Sequence, residues 1–426
     1  MPRRERLTSL PVLAAAYLAV RASVVWGRTP ARFPDSVGYL DFSLLSPGSR
    51  LWPVTLVYAL CSADTARVSA QVLLGACAWV WLARELSNGV RFPAVVRSVT
   101  LLVGLVPQVV RYDLAILSES LSISLGVATV AASVAVARRP SPGMRWAWTA
   151  VFATFAMSRQ QHLLLLFAAA AAVLVTAAVR RRVPAAGGLV LVAAAVFGVQ
   201  QLGATSSLSV LNMYTVLSER VITDDTRFAW FAEQGMPVVP GMREAGGYDY
   251  VEQVPADLLA RAGFPEGQAP PSMLRVGGLP LLEWVQDHGW RTYARWVITH
   301  PGDTGDRLVD LAGPTLRPPN DDFLPLETRT PVPRDLFPPW RLSIVLCFAA
   351  VVVGFVTSRR REAGIVALLV SASSVLYATA VMGSGIEHPR HVAVSAVFLA
   401  VSGLVALSTV LPRRPEAGPA EGPVRN

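Results

Sequence analysis

Lysine is missing from this chain: all 38 basic side chains are arginine, a bias that reads as GC-rich coding more than as chemistry. Charge of either sign is scarce. Only 16% of residues are charged and 53% are hydrophobic, where an ordinary soluble domain carries roughly a quarter charged residues. That shortage excludes a water-soluble globule and asks for lipid as the solvent. Cysteine is also sparse. Cys61, Cys77 and Cys347 sit in or beside apolar runs without a CxxC spacing, which leaves neither a zinc cage nor an obvious disulfide, only buried thiols. There is no Gly-rich phosphate loop, no GxSxG elbow, no HExxH and no DxD pair in a loop. The net charge of +9 does not mark a nucleic-acid binder, because the arginines punctuate the apolar runs instead of lining one face.

What the chain does have is length of apolar sequence. Runs at 7–26, 66–86, 92–110, 115–137, 146–158, 162–179, 184–202, 340–357, 363–382 and 391–411 give about ten spans, on the criterion that ~20 residues cross the hydrocarbon. The first run has no small-residue cleavage site after it and is expected as a retained helix. Arg21, near its far end, is expected to snorkel to the headgroups. The 51–60 stretch is too short to span and reads as a helix lying in the interface or re-entering it. Residues 203–339 are rich in Gly, Pro, Asp and aromatics and read as an extracytoplasmic domain inserted before the last three helices. Within it, 282–299 has helical periodicity and stops at His300-Pro301-Gly302. The Pro-, Gly- and Glu-rich tail, 412–426, is expected to be disordered and cytoplasmic.

The arginine clusters at 3–6, 84–91, 138–145, 180–182, 359–361 and 413–414 then fall on one side, which is cytoplasmic by the positive-inside rule. The fold expected is an all-α polytopic membrane protein of the plasma membrane, both termini cytoplasmic. Its first external loop, 27–65, joins Asp113, Arg159, His162 and the Glu387–His391 cluster on the external side.

These polar groups are the candidates for chemistry. Asp35, in a Pro-Asp-Ser setting, is either a turn and cap acid or a functional one. Glu119, one turn inside its span, is either a buried ion-pair partner or a substrate contact. Arg159 is suited to a phosphate, its planar fork donating two parallel hydrogen bonds, or is a snorkelling helix end. Gln160, Gln161 and His162 beside it favour a polar pocket. His388 and His391 are separated by Pro389, expected to break the helix that would align them for zinc. Arg390 is the better candidate, as a second anion contact.

Taken in order, Asp35, then Arg50 with Trp52-Pro53, Gln71 opening a span, Leu117-Ser-Glu-Ser-Leu121, Ser158-Arg-Gln160 and the late Arg390 resemble the polytopic glycosyltransferases of the C superfamily (GT-C). The likeness is to bacterial relatives of dolichyl-phosphate-mannose-protein mannosyltransferase, and it covers residues 1–202 best. It implies transfer of a sugar from a polyprenyl-phosphate carrier to a glycan, lipid or protein acceptor at the external face, in envelope glycan or glycolipid synthesis. Asp35 then matches the catalytic acid and Asp113 a second acid, and Arg159 or Arg390 the phosphate contacts. Arg50, Glu119, His162 and Glu387 join them as substrate-binding candidates. The missing nucleotide fingerprint fits a donor carried on a lipid, and neither a cofactor nor a protein-held metal is expected. Two departures stand out: no Asp-Glu pair, which tells against a protein acceptor, and Trp52 in place of a Tyr. A transporter or flippase of lipid-linked saccharides, and a noncatalytic envelope-assembly protein, are the other classes open to such a sequence.

Overall fold

The computed structural model describes residues 9–33, 35–40, 42, 52–179, 191–196, 198, 212–244, 246–247, 274–317, 330–357, 359–385 and 388–413. Among them every regular element is a helix, and β-structure is limited to two isolated bridges. The first helices are α1 (Leu10–Val25), the short α2 (Ser36–Leu40), α3 (Trp52–Ala59) and α4 (Asp64–Ser87). Then come α5 (Pro93–Val103), α6 (Pro107–Val110), α7 (Glu119–Arg138), α8 (Pro142–Ser158) and α9 (Leu163–Val179). After residue 212 they are α10 (Asp225–Glu233), α11 (Leu274–Trp284), α12 (Trp290–Thr299), α13 (Pro301–Leu316), α14 (Trp340–Val356), α15 (Arg360–Gly383) and α16 (His388–Val410).

Helices α4, α7, α15 and α16, and α14 together with the 3-10 turn before it (Arg334–Val356), are long and apolar enough to cross a membrane. The run read as one span at 92–110 is instead a broken pair, α5 then α6 with a 3-10 turn to Leu114, bent by 54°. If that pair crosses once, it makes a sixth span among the described residues.

α16 lies at the centre, almost wholly enclosed, against α7, α13, α14 and α15. Its small residues, among them Ala393, Ser395, Ala396, Ala400, Ser402 and Gly403, let those neighbours approach closely, which is how helices associate when lipid removes the hydrophobic drive. α7 packs on α4 and α8, and α1 on α4.

Two local readings are corrected here. Arg21 does not snorkel. It is 1% exposed and donates Nε and Nη2 to the two oxygens of Asp113 at 2.7 and 2.9 Å. Room for the guanidinium comes from Gly75 on α4, where a Cβ would stand 2.3 Å from Nη2. Glu119 is the first residue of α7, not one turn inside a span. The four residues before it are held off the helix because Ala31 N–H donates to Leu114 O and Ile116 N–H to Ala31 O. The Gln71 amide donates to the Asp113 and Ala115 carbonyls, and Tyr58 OH to Leu117 O at 2.6 Å.

Basic side chains collect at the other end of the bundle. Arg139 donates to both oxygens of Glu85 at 2.7 and 2.6 Å. Arg138 and Arg413 pair with Glu362, and Arg359 donates to Thr409 O at 2.5 Å. These contacts tie α4, α7, α15 and α16 together there.

A second core gathers Met213, Tyr214, Leu217, Phe231, Trp284, Tyr293 and Trp296. It closes at Trp296. From Ala312 and Leu316 onward the buried side chains belong to the large core, and Tyr377 OH donates to Leu308 O at 2.5 Å. The described residues of the 203–339 stretch therefore divide between two cores. The helix read at 282–299 forms, with a π-turn at Val285–Gly289, and ends at His300. Residues 414–426 of the expected tail lie outside the described residues.

Asp303 fastens this second core. It accepts hydrogen bonds from Arg227 and, at 2.9 Å, from Trp296 Nε1. Burial alone would raise the carboxyl, but those bonds outweigh it and hold Asp303 below the usual carboxylate range. The stability it confers is then present above the unfolded value, about 3.9, and is lost as pH falls through the depressed folded value. The tryptophan-fluorescence melting transition of the wild-type protein is expected to fall as pH drops below about 4, with a flatter acid limb in Asp303→Asn.

Candidate functional site

At the end of the bundle opposite the Glu85 and Glu362 pairs, four chain segments converge on Glu119. The first is the loop after α1. The Ala31 bridge fixes it beside residues 114–116, and Ser36 accepts the Phe33 N–H at 2.8 Å, starting α2. Ser36 does the local turn work, and the Asp35 carboxylate is engaged across the cluster. It takes a hydrogen bond from Arg390 Nη2 at 2.8 Å. The second segment is the start of α7, where a carboxylate also complements the helix N-terminus.

The third is the break after α8. Arg159 is extended (φ −152°, ψ 145°), which ends the helix and swings its side chain toward α7. Its Nη2 donates to Glu119 Oε1 at 2.5 Å and its Nε to Ser118 Oγ at 3.1 Å. The fourth is the start of α16. Pro389 lies in the first turn, where its missing N–H costs nothing, so the helix runs from His388 unbroken. That corrects the expectation that Pro389 breaks it. Arg390 Nε donates to Glu119 Oε1 at 2.6 Å.

The result is a chain of alternating charge, Asp35–Arg390–Glu119–Arg159. Exposure within it is graded: the side chains of Glu119, Arg390 and Arg159 are 0, 4 and 10% exposed and that of Asp35 is 39%. Hydrogen-bonding capacity is left over in the buried part. Glu119 Oε1 takes both arginines, while Glu119 Oε2 and Arg159 Nη1 are buried without a partner. A buried charge is normally fully paired, so an unmatched acceptor and an unmatched donor on two groups already bonded to each other are what a polar ligand would complete.

Asp35, Glu119, Arg159 and Arg390 thus come together. Asp113 does not join them. Its carboxylate is 0% exposed and taken by Arg21 of α1 and, at 2.6 Å, by Ser120, so it is engaged in a buried ion pair outside the cluster. His162 is likewise enclosed behind the cluster, stacked on Phe155 at 4.3 Å, its Nδ1 beside Ser158 Oγ and Phe155 O. Its Nε2 is buried without a partner. Arg50 and Glu387 lie outside the described residues. Among the described residues no group of three or more His, Cys, Asp or Glu converges as a metal site.

One contributor, Tyr39, escaped the sequence reading, while Ser118 and His391 belong to stretches it singled out. Ser118 links Arg159 to Tyr39, whose OH donates to it at 3.1 Å. His391 sits among the charges of Arg159, Arg390 and Glu119, and its carbonyl accepts from Gln161 at 3.3 Å. For Tyr39 the only signal was its place in the Asp35 loop, four residues after that acid. Comparison with protein-family models, with curated proteins and with solved structures finds no match to this chain.

Proposed function

We propose that this chain is a GT-C-like membrane glycosyltransferase, with about ten spans and the 203–339 stretch on the external side of the plasma membrane. Both termini are cytoplasmic, and the donor is a sugar on a polyprenyl phosphate. The observation that carries the reading is the pair of buried, unpartnered atoms, Glu119 Oε2 and Arg159 Nη1, inside a cluster whose one accessible ionisable group is Asp35. A phosphate with a sugar attached has the right chemistry for both: oxygens for the arginines, hydroxyls for the carboxylate.

In this reading the donor phosphate contacts Arg159 and Arg390. The acceptor hydroxyl attacks the anomeric carbon in line, that carbon's bond to the phosphate oxygen breaks, and the prenyl phosphate leaves with the bonding pair. Asp35 takes the acceptor proton late in the step. The two guanidiniums stabilise the charge growing on the departing oxygen. Glu119 holds both arginines and contributes a contact to the sugar. No covalent enzyme intermediate forms, and the anomeric configuration inverts. The graded exposure supports this division of roles: the base is the group an acceptor can reach, while the groups facing the phosphate are shielded from water, where their charge acts most strongly.

The ion pairs joining α4, α7, α15 and α16 at the far end favour an enzyme over a flippase, which must open both ends in turn. Incubating the purified protein with radiolabelled prenyl-phosphate sugars, with and without chelator, tests the reading by release of lipid phosphate. Release supports it; absence of release across the common prenyl-phosphate sugars, with divalent ions present, overturns it.

A further inference from the structure

Arg220 belongs to the second core yet ends at the threshold of the site. It lies in the π-turn Leu217–Val221 and is 2% exposed. Its Nη1 donates to Tyr293 OH at 2.6 Å, within its own core, and to Met382 O at 3.2 Å. Its Nη2 reaches the carbonyls of Val381 and Ser384 and, at 2.9 Å, His388 Nε2. Val381 and Met382 carry carbonyls of the last turn of α15, which no longer have helical partners, Ser384 is the residue just past its end, and His388 is the first residue of α16. A guanidinium there satisfies the orphan carbonyls and complements the negative end of the helix.

A second contact pins the same loop. Gly385 lies so close to the backbone of Thr215 that a Cβ would stand 2.1 Å from the Thr215 carbonyl oxygen. No side chain fits between the two strands of chain. Burial pulls the Arg220 guanidinium down to about 10, so it remains charged at neutral pH. Arg227 in turn donates to the Arg220 carbonyl at 3.0 Å, anchoring the turn to Asp303.

Two residues beyond His388 stands Arg390, whose fork meets Asp35 and Glu119. We infer that Arg220 is a positioning residue for Arg390, and that the second core, the segment built from the described residues of 212–297, serves as a brace setting the α15–α16 junction against the Asp35 loop. This rests on the reading of Arg390 as a phosphate contact. It gives the segment a task that a loose external domain would not have: without it, the first turn of α16 loses the groups that fix its start, and the donor-binding fork drifts.

The test uses the full-length protein in lipid nanodiscs. Arg220→Gln removes the fork, Gly385→Ala wedges the junction apart without altering charge, and Arg295→Gln removes a surface bond to Gln234 in the same core as a control. Amide hydrogen exchange over residues 384–392 is expected to speed up by roughly tenfold or more in the first two and not in the control. Exchange in α7 should stay at the wild-type rate in all three. Undecaprenyl phosphate binding should weaken by a similar factor, roughly tenfold, in Arg220→Gln, with partial recovery in Arg220→Lys.

A merely structural role would lower the bound fraction at saturation and leave the affinity alone. Wild-type exchange at 384–392 in Arg220→Gln overturns the brace. Faster exchange with unchanged prenyl-phosphate affinity overturns the link to Arg390. If the wild-type protein binds no undecaprenyl phosphate, the functional reading fails separately, and the exchange experiment still decides whether Arg220 holds the junction.

Discussion

Asp35→Asn is expected to lose sugar transfer by roughly 10²- to 10⁴-fold, the usual worth of a positioned general base. The amide keeps the shape and an acceptor oxygen for Arg390 but cannot take a proton from the acceptor hydroxyl. The loss should fall on kcat, with the KM for the prenyl-phosphate sugar within a few-fold of wild type, because Arg159 and Glu119 remain in place. Asp35 is the most exposed member of the cluster and sits in a turn already held by Ser36 and the Ala31 bridge. The variant should therefore melt with the wild-type protein. Parallel loss of transfer and of thermal stability would assign Asp35 a structural part instead.

The second large effect is on stability, at the buried pair between α1 and the turn before α7. Arg21→Met alone leaves the Asp113 carboxylate enclosed with Ser120 as its remaining polar partner, and Asp113→Leu alone strands the guanidinium against Gly75. Breaking a buried pair on one side costs about 3–5 kcal/mol, whereas replacing both partners by apolar groups is often close to neutral. Each single variant should lower the melting temperature sharply, and the Arg21→Met/Asp113→Leu double variant should recover much of it. A double variant as unstable as the sum of the singles would show that the pair contributes more than its own mutual neutralisation, for instance through the Tyr17 hydroxyl that also accepts from Arg21.

Legibility of the sequence followed the kind of information each feature carries. Apolar length is local, so α4, α7, α14, α15 and α16 were readable from composition within one or two residues of their ends in places. The alternation of arginine clusters along the chain was readable too, and it put Asp35, Glu119, Arg159 and Arg390 at one end of the molecule, where the fold brings them into contact. Pairing is not local. Arg21 and Asp113 are 92 residues apart, and nothing around Asp113 distinguishes an acid bound for an arginine in α1 from one facing a substrate.

The same holds for Arg220, which reaches carbonyls more than 160 positions away. Its surroundings, Leu-Ser-Glu-Arg-Val, look like any polar helix turn. Backbone detail was lost for a related reason. The late start of α7 is decided by hydrogen bonds to Ala31, and the unbroken start of α16 by where Pro389 falls relative to the first turn. Each depends on one residue of register, finer than periodicity resolves.

The most direct measurement is equilibrium binding of a radiolabelled prenyl-phosphate sugar to the wild-type protein and to Arg159→Gln in nanodiscs. Arg390 still pairs with Glu119 in that variant, so the cluster keeps a partner for its buried carboxylate while the unmatched Nη1 donor is gone. A charge-assisted bond of ~1.5–3 kcal/mol predicts affinity lower by roughly tenfold or more. Equal affinity in the two proteins would contradict the account, because the phosphate would then be held somewhere other than between Arg159 and Arg390.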